Sequence, residues 1–221
     1  MTGLTAALMR GKPFGLRNPT TRNNAMAKKQ RITMVGAMTA AALFALSSPA
    51  RAETFSNLQP VNPQPAADAT APGLAVNYVF FKAHHVDDVE GEGPGEPGMP
   101  LPQLNYRNGS GNVLTSDQSD GVGALIRGFI DFPAAGRWLM TAQSNDGVRV
   151  RLSGTVVIED PGVHSDQFAP NAEIDIAQPG WYEIAVTYFE RKSTATLQLY
   201  WQPPGKSEFE IVPATAFNHL K

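Results

Sequence analysis

From Gly121 to Val212 the apolar residues recur at every second position, and Gly, Pro or short polar stretches interrupt them every five to ten residues. Strict alternation is the mark of a half-buried strand, because successive side chains of an extended chain point to opposite faces. The segments are ALIRGFIDF (124–132), RWLMTA (137–142), VRVRL (148–152), TVVIE (155–159), AEIDIA (172–177), WYEIAVTYFE (181–190), the Ala195–Trp201 run and FEIV (209–212). LAVNYVFF (74–81) adds one strand earlier in the chain. No long stretch has a helical period. The expectation is all-β: an antiparallel sandwich or barrel of about eight to ten strands. Arg149, Arg151, Thr194, Thr196 and Gln198 fall on the water-facing side of their strands, and the branched and aromatic residues fill the core.

Charge divides the chain further. Residues 1–52 hold eight of the eighteen Lys and Arg and no acid, so residues 53–221 carry all twenty acids against ten bases. From Met26 the sequence MAKKQRITMVGAMTAAALFALSSPARA has a basic start, an apolar run from Met34 to Leu46, and Ala50-Arg51-Ala52 at its end. This is the pattern of an export signal cleaved after Ala52, with Met26 the expected start. The apolar run is short of the ~20 residues that a membrane-spanning helix needs, so no span is expected in the mature chain. The expected destination is the periplasm, the cell surface or the medium. Residues 53–73, rich in Pro, Ala, Asn and Gln, read as a linker to the domain at 74–221. Val86–Pro102, with five acids and frequent Gly and Pro, reads as a solvated acidic loop. With no cysteine, a packed core must supply the stability. The acidic balance argues against nucleic acid or an anionic membrane as partner.

Asn145-Asp146-Gly147 separates two strands. Asn, Asp and Gly form turns unaided, since Gly accepts φ > 0 and Asx side chains bond their own backbone. The same oxygens could hold a cation. Catalysis finds little support: His84 and His85 are adjacent and would point to opposite faces of a strand, no nucleophile elbow is present, and nothing marks a pair of carboxylates. Trp138 reads as core. Trp181, after Pro179-Gly180, and Trp201, before Pro203-Pro204, sit at strand ends where part of a ring can be exposed to stack on a sugar.

The order GFIDFxxxGRW, SNDGVRVRLSG, QPGWYEIAVTYFE, ATLQLYW resembles the PA-fourteen domain family, named for a module of a toxin component called protective antigen. The resemblance runs from about Leu74 to Leu220. It implies a β-sandwich or barrel and, as the usual role, carbohydrate binding in adhesins and cell-wall proteins. In sugar-binding members the loop matching Ser144–Val148 has two adjacent aspartates joined by a cis peptide. They hold a calcium ion that sugar hydroxyls also ligate, and an asparagine from the loop after the strand matching Trp181–Tyr188 completes the set. Here Asn145 replaces the first aspartate, Asp146 is kept, and Glu190 falls at the third position, so the summed charge is the same. The resemblance thus implies Asn145, Asp146 and Glu190 as ligands of calcium, and these residues, with Trp181 for its strand-end ring, are the expected surroundings of a glycan or cell-surface polysaccharide. The resulting expectation is an exported, non-enzymatic, carbohydrate-binding or adhesion-type module. The alternative is a structural or protein-interaction domain of the cell envelope with no sugar site.

Overall fold

The structure, a computed structural model, describes residues 52–221. The apolar and basic segments of the expected export signal lie outside the described residues. In chain order the elements are β1 (Glu53–Phe55), β2 (Thr70–Pro72), β3 (Ala75–Phe80), α1 (Val86–Gly91), β4 (Glu96–Pro97), β5 (Asn105–Asn108), β6 (Val122–Phe132), β7 (Gly136–Asn145), β8 (Val148–Leu152), β9 (Thr155–Asp160), β10 (Gln167–Phe168), β11 (Ala172–Ile176), β12 (Gly180–Glu190), β13 (Ala195–Gln202), β14 (Glu210–Ile211) and β15 (Phe217–Leu220). They form two sheets, one of seven strands and one of eight. The total exceeds the expected eight to ten because β1, β2, β4, β5, β10 and β15 are pieces of two to four residues. Such pieces are too short to show an alternation.

The first sheet runs β1-β11-β7-β13-β14, with β10 also on β7 and β5 also on β13. The second runs β2-β15-β6-β12-β8-β9, with β3 on β6 and β4 on β3. Its spine is the antiparallel pair β6–β12, in register from Gly180 opposite Phe132 to Glu190 opposite Val122. The inward residues of β12, Tyr182, Ile184, Val186 and Tyr188, are all buried, as their spacing predicts. Opposite them, Ala195, Leu197, Leu199 and Trp201 of β13 close the core from the first sheet. Phe132 is the hub of an aromatic cluster, with ring centroids 5.1 Å from Trp138, 5.4 Å from Tyr182 and 6.0 Å from Trp201. Trp201, like Trp138, is core and not a rim residue.

Three expectations are corrected. Val86–Pro102 is not an open loop, because its first turn forms α1. The His85 side chain accepts a hydrogen bond from the Asp87 N–H at 3.2 Å, and Asp88 Oδ2 accepts from the His85 N–H at 3.1 Å. This reciprocal cap satisfies donors that a helix start leaves open. Val86 and Val89 of α1 pack on Val79, Ala83 and Phe189, making a second small core on the outer side of the second sheet. Arg149 and Arg151 therefore do not face water. Arg149 Nη1 lies 2.7 Å from Asp87 Oδ1 and 3.0 Å from Glu90 Oε2, and Arg151 Nη1 lies 2.6 Å from Glu90 Oε1. Thr196 is also buried, since Arg107 of β5 pairs opposite it. Residues 53–73 are not a free linker. β1 adds to the edge of β11, β2 adds to β15, and Leu58 joins the main core.

Candidate functional site

β7 belongs to the first sheet and β8 to the second. Asn145-Asp146-Gly147 is therefore the crossing between sheets and not a hairpin turn. The Asn145–Asp146 peptide bond is cis. Backbone bonds tie the crossing to the end of β12: the Asp146 N–H donates to Phe189 O at 3.0 Å, and the Phe189 N–H donates to Gly147 O at 3.1 Å. The Tyr188 hydroxyl donates to Asn145 O at 2.7 Å. Gly147 is needed for space. Its φ is not among the positive ones, but a Cβ there would meet Phe189 Cε1 at 2.5 Å and Pro161 O at 2.7 Å.

Asp146 is buried, and both its oxygens are engaged. Oδ1 accepts from the His164 N–H at 3.2 Å and Oδ2 from the Arg191 N–H at 2.8 Å. One carboxylate so clamps the loop after β9 to the loop after β12. Asn145 Nδ2 donates to Thr194 Oγ1 at 2.7 Å, which leaves its carbonyl oxygen as an acceptor. Glu190 is fully buried. Its Oε2 accepts from the Gly121 N–H at 3.1 Å, and its Oε1 has no partner. Burial above all, then the charge of Asp120, pushes its carboxyl up to about 7; the Gly121 N–H opposes the shift and the charge of Asp146 adds to it. Asp120 Oδ1 in turn accepts from the Ser193 N–H at 2.7 Å.

Of the four residues expected at the site, three converge at this rim. Asn145 and Asp146 are adjacent, and Glu190 directly precedes the residue whose N–H Asp146 binds. Trp181 is not brought there. It opens β12 while Glu190 ends it, and nine residues of strand place the two about 30 Å apart. The Trp181 backbone is instead held by Gln64, whose Oε1 accepts its N–H at 2.7 Å. The oxygen-only donor set of an amide and two carboxylates has the chemistry of a hard-cation site. Among the described residues no three of His, Cys, Asp and Glu gather closely enough to hold a metal by themselves.

Beside Asn145 a surface cleft of about 320 Å3 opens, lined by Arg107, Asn108, Ser165, Asp166 and Thr194 among others. Arg107 Nη2 sits 2.8 Å from Asp166 Oδ2, while Asp166 Oδ1 is buried with no hydrogen-bond partner. Sequence reading missed Arg107 and Asp166. They come from β5 and from the turn before β10, two short strands with weak alternation, and the polar run YRNGSGN (106–112) was the only signal for Arg107.

Residues 108–214 match the sequence profile of the PA14 domain, the PA-fourteen module. No curated protein sequence matches the chain. Solved structures share its fold. The PA14 domain of the MpAFP antifreeze protein is 14% identical, with 72% of this chain aligned to 96% of that one at a TM-score of 0.60. The PA14 sugar-binding domain of an RTX adhesin is 17% identical over 67% of this chain and 99% of its own, TM-score 0.55. The epithelial adhesin 9 A domain of Candida glabrata, solved in complex with Galβ1-4GlcNAc, is 10% identical over 74% and 96%, TM-score 0.55. Profile match and shared architecture agree: residues 108–214 carry a PA14 domain, and the fold around them is that of PA14 structures.

Proposed function

We propose that the chain is an exported carbohydrate-binding module of the adhesion type, which takes a sugar in the cleft beside Asn145. The observation that carries this reading is the orphaned Asp166 Oδ1 next to the Arg107 guanidinium. A buried acceptor without a donor is costly. A shift of the Asp166 side chain towards the cleft would bring a sugar hydroxyl to it as that donor, and the hydroxyl would also offer an acceptor to a neighbouring N–H. Two hydroxyls on adjacent carbons match the acceptor and donor that Asp166 and Arg107 present side by side. The Asn145 carbonyl and the Thr194 hydroxyl complete the polar wall. The likeness to sugar-binding adhesin domains supports the same reading. Turnover is not proposed, because the cleft is lined by one carboxylate where glycoside hydrolysis uses two.

Calcium is part of the proposal. Asn145, Asp146 and Glu190 would hold it, and the unpartnered Glu190 Oε1 is the observation that fits a missing cation. When bound, the ion would polarise and orient hydroxyl oxygens. Asp146 fixes the crossing, and Asn145 positions Thr194. A second reading, a structural module without a sugar site, is favoured by the fact that both Asp146 oxygens already serve backbone N–H groups.

A glycan array with the chain from Glu53 onward tests the proposal, followed by calorimetry on the best binder. Binding that falls tenfold or more in Asp166→Ala is expected. An array with no hits, or equal affinity in the variant, leaves the structural reading standing. Melting with calcium and with chelator tests the ion separately, since a site filled at a hundredfold excess over its Kd stabilises by about 2.7 kcal/mol.

A further inference from the structure

The outer face of β13 continues past the cleft. Ala195, Leu197, Leu199 and Trp201 point into the core, so Thr196, Gln198 and Tyr200 share the opposite face. Thr194 and Thr196 line the cleft beside Asn145. Tyr200 lies six residues beyond Thr194, about 20 Å along the strand, and there it helps line a second depression of about 290 Å3 with Thr141, Phe168, Asn171 and Phe209. Phe168 is 54% exposed, and its ring centroid is 5.5 Å from that of Tyr200 at an interplanar angle of 58°. A polar ladder fills the interval: the Tyr200 hydroxyl donates to Gln198 Oε1 at 3.1 Å, and Gln198 Nε2 donates to Asn105 Oδ1 at 2.6 Å.

We infer that this face is one continuous saccharide-binding surface, on which an oligosaccharide held at one end in the Asn145 cleft runs along β13 and stacks a later unit on Phe168 and Tyr200. The inference rests on the sugar reading of the cleft and gives it a ligand class: a chain of several units, not a single terminal sugar. The second depression is lined by no charged residue and combines aromatic rings with an amide and a hydroxyl. That mixture suits a pyranose, whose C–H face is apolar and whose edge is hydroxylated. A protein partner fits less well. Aromatic side chains bury ~150–250 Å2 each, so three part-exposed rings fall short of the ~800 Å2 per partner of a stable interface. The Gln198–Asn105 amides supply hydroxyl partners between the two depressions.

The test is calorimetry of the chain from Glu53 onward, with calcium present, against cello-, galacto-, chito- and xylo-oligosaccharides of one to six units. For the series that binds, affinity should rise about tenfold or more from the disaccharide to the hexasaccharide. Phe168→Ala and Tyr200→Ala should each remove most of that gain while the affinity for the shortest bound member stays unchanged. Phe168 is half exposed, so its removal should leave the melting temperature near that of the parent, and Phe168→Gln serves as a second polar variant. Equal affinity for short and long members, or a length gain that survives both aromatic variants, overturns the inference and spares the cleft. Asp166→Ala binding as tightly as the parent, or no member of any series binding, overturns the cleft and the inference with it.

Discussion

A methyl group at position 147 would stand 2.5 Å from the Phe189 ring and 2.7 Å from a backbone oxygen. The ring can give way only into the small core under α1, and Pro161 O belongs to the backbone. Gly147→Ala should therefore cost about 1–3 kcal/mol, as overpacking does, read as a lower urea midpoint with an unchanged slope. The Asn-Asp-Gly triplet was legible as a break between strands. The reason for its glycine was not, since the sequence points to φ freedom and the structure to lack of room. Glu190 carries a pH signature. Its carboxyl titrates at about 7 in the folded chain, where burial and Asp120 disfavour the charge, against an ordinary 4.5. Between those values the folded chain keeps a proton that the unfolded chain has released, so stability falls as pH rises from 4.5 towards 7 and stays low above it. In chelator, the melting temperature should follow that descent. Glu190→Gln keeps an acceptor for the Gly121 N–H without the charge. It should flatten the curve and stabilise at pH 8 by roughly the 1–3 kcal/mol that a poorly satisfied buried group costs. Parallel curves for the two proteins would refute this.

α1 shows why an element can be invisible in one dimension. Six residues are well below the ~12–15 at which an isolated helix becomes even marginal, and its five-acid neighbourhood looks like solvated loop. VRVRL likewise looks like a strand with a wet face. Each reading is reasonable alone, and the two are mutually dependent: the arginines of β8 are the counter-charges of α1, and the helix is their cover. Burial raises the Glu90 carboxyl, but hydrogen bonds from Arg151 and Thr187 and the charges of Arg151 and Arg149 prevail and hold it at about 2. That contribution is complete above the ordinary carboxylate range near 4.5 and is lost as pH falls towards 2. Hydrogen exchange on lowering the pH from 5 to 2 should expose the amides of 86–91 before those of β6 and β12. Simultaneous exposure of all three would contradict it. Arg149→Ala leaves Asp87, Glu90 and Glu159 without their shared partner. Its expected cost is about 2 kcal/mol, between the ~1 of an exposed pair and the 3–5 of a buried one, and the same helix amides should exchange faster.

At the scale of the molecule, the long strands and their inward faces could be read directly, because each must bury one alternate row of side chains. What escaped was the helix that covers the second sheet and the segments at 53–55 and 70–72 that close edges of both. Segment 53–73 has the composition of a tether, yet it lies along both sheets. β1 pairs in parallel with β11 from Glu53 opposite Ala172 to Phe55 opposite Ile174, and Leu58 is 5% exposed. The Val61 N–H donates to Trp181 O at 2.9 Å, and Gln64 grips the same peptide. Gln59 O accepts from the Ser153 hydroxyl at 2.6 Å, and Ala69 O accepts from the Lys221 N–H at 3.1 Å. Proline-rich composition did not forbid this, since proline is tolerated where a strand end or an edge needs no N–H. A tether can be removed without consequence, whereas a docked edge cannot. Burying Leu58 is worth ~1.5–3 kcal/mol, and each of several hydrogen bonds adds ~0.5–1.5. A chain beginning at Leu74 should thus be less stable than one beginning at Glu53 by at least about 3 kcal/mol, with a lower urea midpoint. Coincident midpoints for the two chains would return segment 53–73 to the role of a linker.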